Sequence, residues 1–346
     1  MSGNADSQDF IGPARSFRQT RSFRRAGSLL KRGGALRSAI CILPALMCSC
    51  VPVAGPGGRE GSARPAASPS VPGSLRVMSF NIRYDTANDG PNAWSRRREM
   101  VFGLLRAERP DVAGLQEVLH AQFEDLANAL PEYGRLGVGR DDGKTAGEYA
   151  AILYRRERFR VEEQGTFWLS DTPEVPGSIS WGNGCTRVCT WARLFDRQSG
   201  RAFCFYNTHL DNVSRLSREK GARLIAQRIA ARSHRDPFIL TGDFNVGEND
   251  PPLLFLKGEG SGQSGAQSPV PMRDTFRVLH PDAADVGTYH AFGGERGGAK
   301  IDYILAPAGI QIKEAAIPHT QQDGRYPSDH FPVTALIRLP ESWEGP

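Results

Sequence analysis

The chain has 346 residues, with 43 Lys and Arg residues against 38 Asp and Glu residues and a formal net charge of +5. Apolar residues make up 39% and aromatic residues 9% of the sequence, as is typical of a soluble globular protein with a sizeable core. This composition excludes a collagen, a coiled coil, a small disulfide scaffold and a polytopic membrane protein.

The positive charge is concentrated at the amino terminus. Residues 1–49 contain eight of the basic and two of the acidic residues, which leaves 35 basic and 36 acidic residues in the rest of the chain. Because this remainder has a net charge of −1, it carries no bulk charge that would favour non-specific binding to nucleic acid.

Residues 1–50 have the layout of an export signal. A basic segment is followed by an uncharged stretch, residues 38–58, whose apolar centre is interrupted by Pro44. This stretch is too short for a comfortable membrane-spanning helix, whereas a short apolar region after a basic one is typical of a signal peptide. Residues 46–50 resemble a bacterial lipobox, which predicts an exported protein with a lipid anchor on Cys50. The alternative is a soluble secreted protein that is cleaved nearby.

The remaining chain divides into a linker, one domain and a short tail. Residues 51–73 contain five Pro and five Gly and are predicted to form a linker. The domain is predicted at 74–340 and the tail at 341–346, and residues 257–268 are rich in Gly and Ser, as expected for a mobile insertion loop. In an exported domain the spacing of Cys185 and Cys189 would allow a disulfide, whereas Cys204, in an apolar run, is expected to be a buried thiol.

Within the domain, helical and strand patterns are intermingled. In chain order they predict a strand at 75–82, a helix at 95–107, a strand at 111–116, a helix at 120–130, strands at 148–154, 161–169, 187–195 and 202–208, a helix at 217–232, and strands at 238–241, 301–305, 310–317 and 332–339. This order predicts an α/β protein in which helices cover layered sheets.

Polar side chains follow the ends of several predicted strands. They are Asn81, Glu117, His209, Asp243 with Asn245, and, just before the last strand, Asp329 with His330. Strand ends at one edge of α/β sheets converge on a cleft, so we expect these side chains to lie together. Oxygen ligands without thiolates suit Mg²⁺ or Mn²⁺, and histidines paired with carboxylates suit proton transfer and the stabilisation of anionic charge. The pattern therefore predicts metal-assisted hydrolysis of a phosphoester.

Each of these residues alone also has a purely structural interpretation. Asn81 is a suitable turn residue, Glu117 a suitable acid at a helix start, and residues 242–245 a suitable Asx turn, while a lone histidine such as His209 is more often a core residue. Six such positions in order over one domain favour the catalytic interpretation.

The segments that carry these residues resemble the endonuclease/exonuclease/phosphatase superfamily, which has the DNase I-like fold. The resemblance covers residues 74–339, and the 88–94 loop (NDGPNAW) is similar to an exported bacterial branch that is itself similar to nocturnin-like deadenylases. The matching segments are 78–82 (MSFNI), 115–118 (LQEV), 148–154 (EYAAILY), 207–211 (NTHLD), 242–245 (GDFN), 300–304 (KIDYI) and 328–332 (SDHFP).

The resemblance implies a fold and a metal site. The fold is a four-layer α/β sandwich, with two packed mixed β-sheets flanked by helices. Asn81 and Glu117 would hold Mg²⁺, or Mn²⁺ in its place, with Asp329 at the metal or directly behind its ligands. Asp243 and Asn245 would align the nucleophile and the phosphate.

It also implies roles for the two histidines. His330, oriented by Asp302, would activate or position the attacking water, which the metal also holds. His209 would stabilise the pentavalent phosphate or protonate the leaving oxygen, and Glu148 matches the carboxylate that orients this histidine.

The expected activity is therefore Mg²⁺-dependent hydrolysis of a phosphate ester, as a phosphodiesterase, nuclease or phosphatase. A phospholipid or sugar-phosphate hydrolase and a non-catalytic surface-binding protein on the same scaffold are the alternatives. Since residues 96–98 are the longest basic run of the domain, and such a run is usually solvated, we expect a small or short substrate. Membrane contact is expected only through the lipid anchor, and no obligate protein partner is implied.

Overall fold

The computed structural model describes residues 73–260 and 267–345. The export signal, almost all of the linker and half of the Gly/Ser-rich loop lie outside the described residues, so the expectations for them stay predictions. Within the described ranges, no helix combines the length and the apolar character needed to cross a membrane.

Strands and helices are intermingled along the described chain. The strands are β1 (Ser74–Asn81), β2 (Val112–Val118), β3 (Tyr133–Leu136), β4 (Tyr149–Arg155), β5 (Phe159–Trp168), β6 (Val188–Asp196), β7 (Arg201–His209), β8 (Phe238–Asp243), β9 (Met272–Asp274), β10 (Asp302–Pro307), β11 (Gln311–Ala316) and β12 (Val333–Arg338). The helices are α1 (Trp94–Glu108), α2 (His120–Ala129), α3 (Arg215–Ala230), α4 (Pro251–Lys257) and α5 (Thr275–Leu279), with a 3₁₀ turn at Gly90–Asn92.

The strands form two six-stranded mixed sheets. The first has the order β11-β12-β1-β2-β4-β3 and the second the order β5-β6-β7-β8-β10-β9. Each sheet is built around one parallel pair, β1 with β2 and β7 with β8, and its other neighbours are antiparallel. A crossover containing α1 joins the first pair and one containing α3 joins the second, as a parallel connection requires. The predicted fold class is confirmed.

The core lies in three layers. Leu75 and Val77 of the first sheet pack with Phe203 and Phe205 of the second between the two sheets. On the outer face of the first sheet, Phe80 and its neighbours pack under α1 and α2. On the outer face of the second sheet lie buried residues of α3 and α4, which include Ile225 and Ile229 of α3. Because both faces of the central strands are covered, these strands are apolar along nearly their whole length.

The two sheets approach each other closely near the site. Asn207 on β7 donates hydrogen bonds from Nδ2 to the carbonyls of Leu115 and Ala151 in the first sheet, at 2.9 and 2.8 Å. Gly114 lies opposite, and a Cβ there would collide with the amide of Asn207 and the hydroxyl of Thr241. Glycine at this position therefore allows the inter-sheet contact.

Several short elements differ from the prediction. The four-residue strand β3 contains Gly134 and Arg135 and has no apolar alternation, so it was missed. Helix α4 begins with two prolines and has seven residues, and β9 and α5 have three and five, too few to show a period.

The cysteines also require a correction. Cys185 and Cys189 are both free, so the disulfide that their spacing allowed is not formed. Cys189 instead packs on the outer face of the second sheet, in the cluster that also holds Cys204. The expectation of a buried Cys204 thiol is confirmed.

Candidate active site

The central strands of both sheets end at one place. The parallel register sets His209 at the end of β7 beside Asp243 at the end of β8, and the antiparallel register sets Asp243 opposite Asp302 of β10. In the first sheet Asn81 ends β1, next to the β2 strand that carries Glu117. The fold thus gathers side chains that are far apart in the sequence.

Asn81 joins the two sheets at the centre of the site. Its buried amide donates from Nδ2 to Glu117 Oε1 and to Asp243 Oδ2, both at 3.0 Å. Its Oδ1 accepts the backbone N–H of Arg83 at 3.0 Å. One amide therefore separates and orients two carboxylates that would otherwise repel each other.

The backbone at Glu117 is in an unusual conformation. Its φ is +61°, and the pairing of β2 with β4 shifts register between Leu115 and Val118. Such a conformation in a non-glycine residue costs about 1–3 kcal/mol, and strand irregularities of this kind often re-aim a side chain next to an active site. The backbone N–H of Tyr84 donates to Glu117 Oε2 at 3.2 Å and fixes the aim of the carboxylate.

His330 and Asp302 form a buried pair. His330 Nδ1 lies 2.9 Å from Asp302 Oδ2, and its Nε2 lies 3.8 Å from Asp243 Oδ2. Burial alone would lower the pKa of His330, but the carboxylates of Asp302, Asp243 and Asp329 raise it to about 10. The pair fixes the ring so that Nε2 points toward the carboxylate of the neighbouring strand.

Asp243 lies among all these groups. Burial, together with the nearby carboxylate of Asp302, raises its pKa to about 7. Its Oδ1 accepts the backbone N–H of Asn245 at 2.9 Å, and Asn245 has a φ of +50°. Residues 242–245 therefore do form the Asx turn that their sequence allowed, and this turn leaves Asp243 Oδ2 facing the site.

His209 is held in one tautomer by Asn245. The Asn245 Nδ2 donates to the carbonyl of Leu210 at 3.0 Å and lies 2.9 Å from His209 Nε2. Since the amide nitrogen is a donor, Nε2 accepts and the proton is assigned to Nδ1. Burial, with the charges of Arg187 and Arg140, lowers the pKa of His209 well below its ordinary value.

Glu148 is not placed as the resemblance implied. Its carboxylate accepts two hydrogen bonds from Arg140, at 2.7 and 2.8 Å, and its Oε2 lies 4.0 Å from His209 Nδ1. That separation exceeds a hydrogen bond, and His209 Nδ1 has no hydrogen-bond partner among the described residues. Glu148 thus pairs with arginine rather than orienting the histidine.

Asp329 lies beside a residue that the sequence analysis missed. Arg83 donates two hydrogen bonds to Asp89, both at 3.0 Å, and its guanidinium also lies 3.7 Å from Asp329 Oδ2 and 4.0 Å from Glu117 Oε2. The only signals for Arg83 in the sequence were its position two residues after Asn81 and the acid in the 88–94 loop.

The basic run at 96–98 differs in part from the expectation. Arg96 and Arg98 are exposed, but Arg97 is only 1% exposed and points inward from α1. Nearby Trp94 is buried and donates from Nε1 to Asp125 Oδ2 at 2.8 Å.

The sequence model of the endonuclease/exonuclease/phosphatase family matches residues 78–330. The chain belongs to this family. The resemblance stated from the motifs is thereby confirmed.

Relatives of known structure cover 77% of this family member. An endonuclease/exonuclease/phosphatase from Bacteroides vulgatus is 35% identical, with a TM-score of 0.69 over 77% of this chain and 99% of that one. A mannosyl-6-phosphatase from Bacteroides thetaiotaomicron is 31% identical, with a TM-score of 0.67 over 77% and 100% of the two chains. Nocturnin from Drosophila melanogaster is 27% identical over 80% of this chain and 48% of its own length, so the chain spans about half of that relative.

The acidic centre of this family member fits a hard divalent cation. Ligand atoms of Glu117, His209 and Asp243 lie within 4.8 Å of one another, as do those of Asp243, Asp302 and His330. Asp302 Oδ1 is buried and has no hydrogen-bond partner in the described part of the chain. Oxygen atoms dominate this donor set, as Mg²⁺ and Mn²⁺ prefer, and a cation would balance the crowded carboxylates.

Proposed function

We propose that this protein is a Mg²⁺-dependent phosphoester hydrolase that acts on a small phosphate ester. The observation that carries the proposal is the convergence of Glu117 and Asp243, one from each sheet, on the Asn81 amide beside two histidines. Family membership supports the reaction class, and the oxygen-rich donor set supports the cation.

Glu117 would hold the cation, with Asn81 setting the position of its carboxylate. Asp329 would be the second carboxylate at the cation, because the Arg83 guanidinium lies within 4.0 Å of both Glu117 and Asp329. When bound, the cation polarises the phosphate and balances the negative charge that develops on it. Because Asn81 also binds Asp243, the same amide aligns the carboxylate of the second sheet with the cation-binding carboxylate of the first.

His330 and Asp243 would position the attacking water. With His330 Nε2 3.8 Å from Asp243 Oδ2, one water or phosphate oxygen can contact both atoms. The bond from His330 Nδ1 to Asp302 prevents the ring from turning away. Holding the nucleophile in line with the phosphorus atom removes much of the entropic part of the barrier.

His209 would stabilise the anionic phosphate. Since its Nε2 accepts from Asn245, the ring is neutral and presents a single N–H at Nδ1. That N–H is buried on the Glu148 side of the ring, 4.0 Å from Oε2, whereas Nε2 is the ring atom that faces Asp243 Oδ2, at 3.5 Å. His209 would therefore contact the phosphate or the leaving oxygen through Nε2, and this hydrogen bond would require the ring proton on Nε2 in place of the bond from Asn245.

The charges beside the site favour a substrate with few phosphates. Arg83, Arg140 and Arg187 each lie within 4 Å of a carboxylate, and those carboxylates are Asp89, Glu148 and Asp211. Paired arginines offer less attraction to a long phosphate backbone than a row of unpaired ones.

A sugar-phosphate monoester is the substrate class that we favour. The relative named as a mannosyl-6-phosphatase supports it, because the likeness extends over the whole of that chain at 31% identity. Tyr289 also supports it: its ring is 49% exposed and lies 5.1 Å from the His330 ring, where it offers an apolar face to a sugar or a base.

The test is a substrate screen on the purified full chain, with added Mg²⁺ or with chelator. The substrates are sugar 6-phosphates, mononucleotides, short oligonucleotides and phospholipids, and Asp243→Asn is the matched control. We expect hydrolysis of a sugar phosphate that chelator abolishes and Mg²⁺ restores. Absence of hydrolysis on every substrate, in a chain that binds Mn²⁺, would favour the non-catalytic binding protein.

We also propose that the protein is exported and carries a lipid on Cys50. The basic and apolar segments of residues 1–50 support this proposal. Incorporation of labelled palmitate in the wild type, and its loss in Cys50→Ser, is the expected result. Release of the wild-type chain from the cell without incorporated palmitate would favour soluble secretion.

A further inference from the structure

We propose that Arg97 is a positioning residue that sets cation affinity by tying the segment after Asn81, which positions the candidate ligand Glu117, to the segment that carries the candidate ligand Asp329. The inference rests on the proposed function, because it concerns binding of the cation. It assigns a role to a residue of α1 that does not contact the carboxylates itself.

All the hydrogen bonds that the Arg97 guanidinium donates go to backbone carbonyls. Nε donates to Asn92 at 2.8 Å, Nη1 to Ile82 at 2.6 Å and to Pro327 at 2.9 Å, and Nη2 to Arg83 at 2.7 Å. These carbonyls belong to three separate stretches of chain, two of which adjoin the paired strands β1 and β12.

One of these stretches follows Asn81, whose amide positions the candidate ligand Glu117, and another leads to the candidate ligand Asp329. Ile82 directly follows Asn81, and Pro327 lies two residues before Asp329. Ser328 adds a second link between the same stretches, because its Oγ donates to the carbonyl of Asn81 at 2.7 Å. The pairing of β1 with β12 sets the coarse position of Asn81 relative to Asp329, and the Arg97 and Ser328 side chains link the segments beyond the last paired residues, Ser79 and Val333.

The environment of Arg97 indicates a role beyond stability. No carboxylate of the described residues lies within ion-pair distance of its guanidinium, so the positive charge of Arg97 is buried without a direct counterion. Burial lowers its pKa to about 10, although Asp329 and Asp89 act at longer range in the opposite direction. Burying such a charge is costly, whereas an apolar residue could fill the space between Trp94 and Phe292.

Lysine is the informative replacement. It keeps the positive charge, but its ammonium is a point donor that cannot reach carbonyls in three directions as a planar guanidinium does. Arg97→Lys should therefore leave the charge near the site and loosen the spacing of the two stretches. Arg97→Gln is a second variant that removes the charge as well.

Arg158 provides a matched control at the other end of β1. It is also a buried arginine, and it donates to the carbonyl of Ser74 at 2.8 Å and to Asp196 at 3.0 and 2.9 Å. Arg158→Lys should lower the unfolding temperature through lost buried contacts. It should not alter the site, which lies at the opposite end of the strand.

The experiment measures Mn²⁺ affinity by electron paramagnetic resonance, together with the unfolding temperature, for the full-length wild type and these variants. We expect Arg97→Lys and Arg97→Gln to weaken Mn²⁺ binding by about 10- to 100-fold, as for other residues that orient metal ligands. Arg158→Lys should leave Mn²⁺ affinity unchanged.

Two results would overturn the positioning role. The first is wild-type Mn²⁺ affinity in Arg97→Lys. The second is a loss of Mn²⁺ affinity in Arg158→Lys that equals the loss in Arg97→Lys when the two variants have the same unfolding temperature. If neither Arg97 variant folds while Arg158→Lys does, Arg97 is a structural residue and the inference fails. A wild type that binds no Mn²⁺ would instead overturn the proposed function.

Discussion

His209 and His330 lie on either side of the Asp243 carboxylate, yet their surroundings shift their pKa values in opposite directions. His330 has a carboxylate partner on Nδ1 and a raised pKa, whereas His209 has an amide on Nε2, arginines nearby and a lowered pKa. Opposite shifts in neighbouring titratable groups are typical of residues with different catalytic roles.

The two histidines should therefore respond differently to removal. His330→Ala should lower kcat by about 10²- to 10⁴-fold on every substrate, because positioning of the water is lost. His209→Ala should depend on the leaving group, so that p-nitrophenyl phosphate is partly spared compared with an alkyl phosphate. Steady-state kinetics on both substrates tests this division, and equal losses on the two would contradict it.

Glu117 should be required for binding of the cation. Glu117→Gln keeps the acceptor for the Asn81 amide but removes the charge that would face Mg²⁺. We expect Mn²⁺ affinity to fall and Mg²⁺-dependent activity to be lost at low Mg²⁺, with partial recovery at high Mg²⁺. Isothermal titration calorimetry measures the affinity. Full activity at low Mg²⁺ would remove Glu117 from the metal site.

At the scale of elements, the two sheets meet where Gly114 faces Asn207 and Thr241. Gly114→Ala should lower the free energy of unfolding by about 1–3 kcal/mol, as for other overpacked core positions. Gly103→Ala, on the exposed side of α1 with open space around it, is the control and should raise stability slightly. Urea unfolding of both variants is the measurement, and equal stabilities would show that the sheets can shift apart at no cost.

The far end of β1 is held by a buried ion pair, Arg158 with Asp196. Burial alone would raise the pKa of Asp196, but the hydrogen bonds and charge of Arg158 lower it. A lowered carboxylate pKa stabilises the fold above the unfolded value, and this stability is lost as the pH falls through the folded value.

Asp196→Asn should therefore be less stable than the wild type at neutral pH by about 1.5–3 kcal/mol. The difference should shrink as the pH falls below about 4, the ordinary pKa of an aspartate. Urea unfolding between pH 7 and pH 3 tests this, and a difference that is constant with pH would contradict it.

How far the sequence predicts an element depends on the length of its pattern. The central strands β1, β2, β7 and β8 were predictable because both of their faces are buried and a polar residue ends each one. The short elements β3, α4, β9 and α5 gave no period, and three of them lie in the second half of the domain. The side-chain contacts between the two sheets could not be predicted, because local sequence patterns do not determine the order of strands within a sheet.

The same reasoning explains which candidate site residues could be predicted. Asn81, Glu117 and Asp243 stand at strand ends and were predicted together. Arg97 was missed because a basic run at a helix start is usually solvated, and its burial depends on the tertiary approach of Pro327, some 230 positions away. Contacts of this kind arise only when the whole fold brings distant segments together.

At the scale of the whole molecule, the distribution of charge limits the size of the substrate. The net charge of +5 is due to residues 1–49, and the remaining chain carries −1. Affinity for long nucleic acid comes mainly from the number of phosphates that Lys and Arg neutralise, and it falls steeply with salt. A chain without residues 1–49 should therefore bind duplex DNA weakly, with a shallow dependence on salt. Its hydrolysis of a short phosphate ester should change little over the same range of salt. Fluorescence anisotropy with a labelled duplex between low and physiological salt, beside hydrolysis of a sugar phosphate, measures both.

The full chain is the control, since its basic leader should restore salt-sensitive binding to DNA. Tight duplex binding with a steep salt slope in the shorter chain would show that a basic surface forms in three dimensions and that the substrate is a nucleic acid.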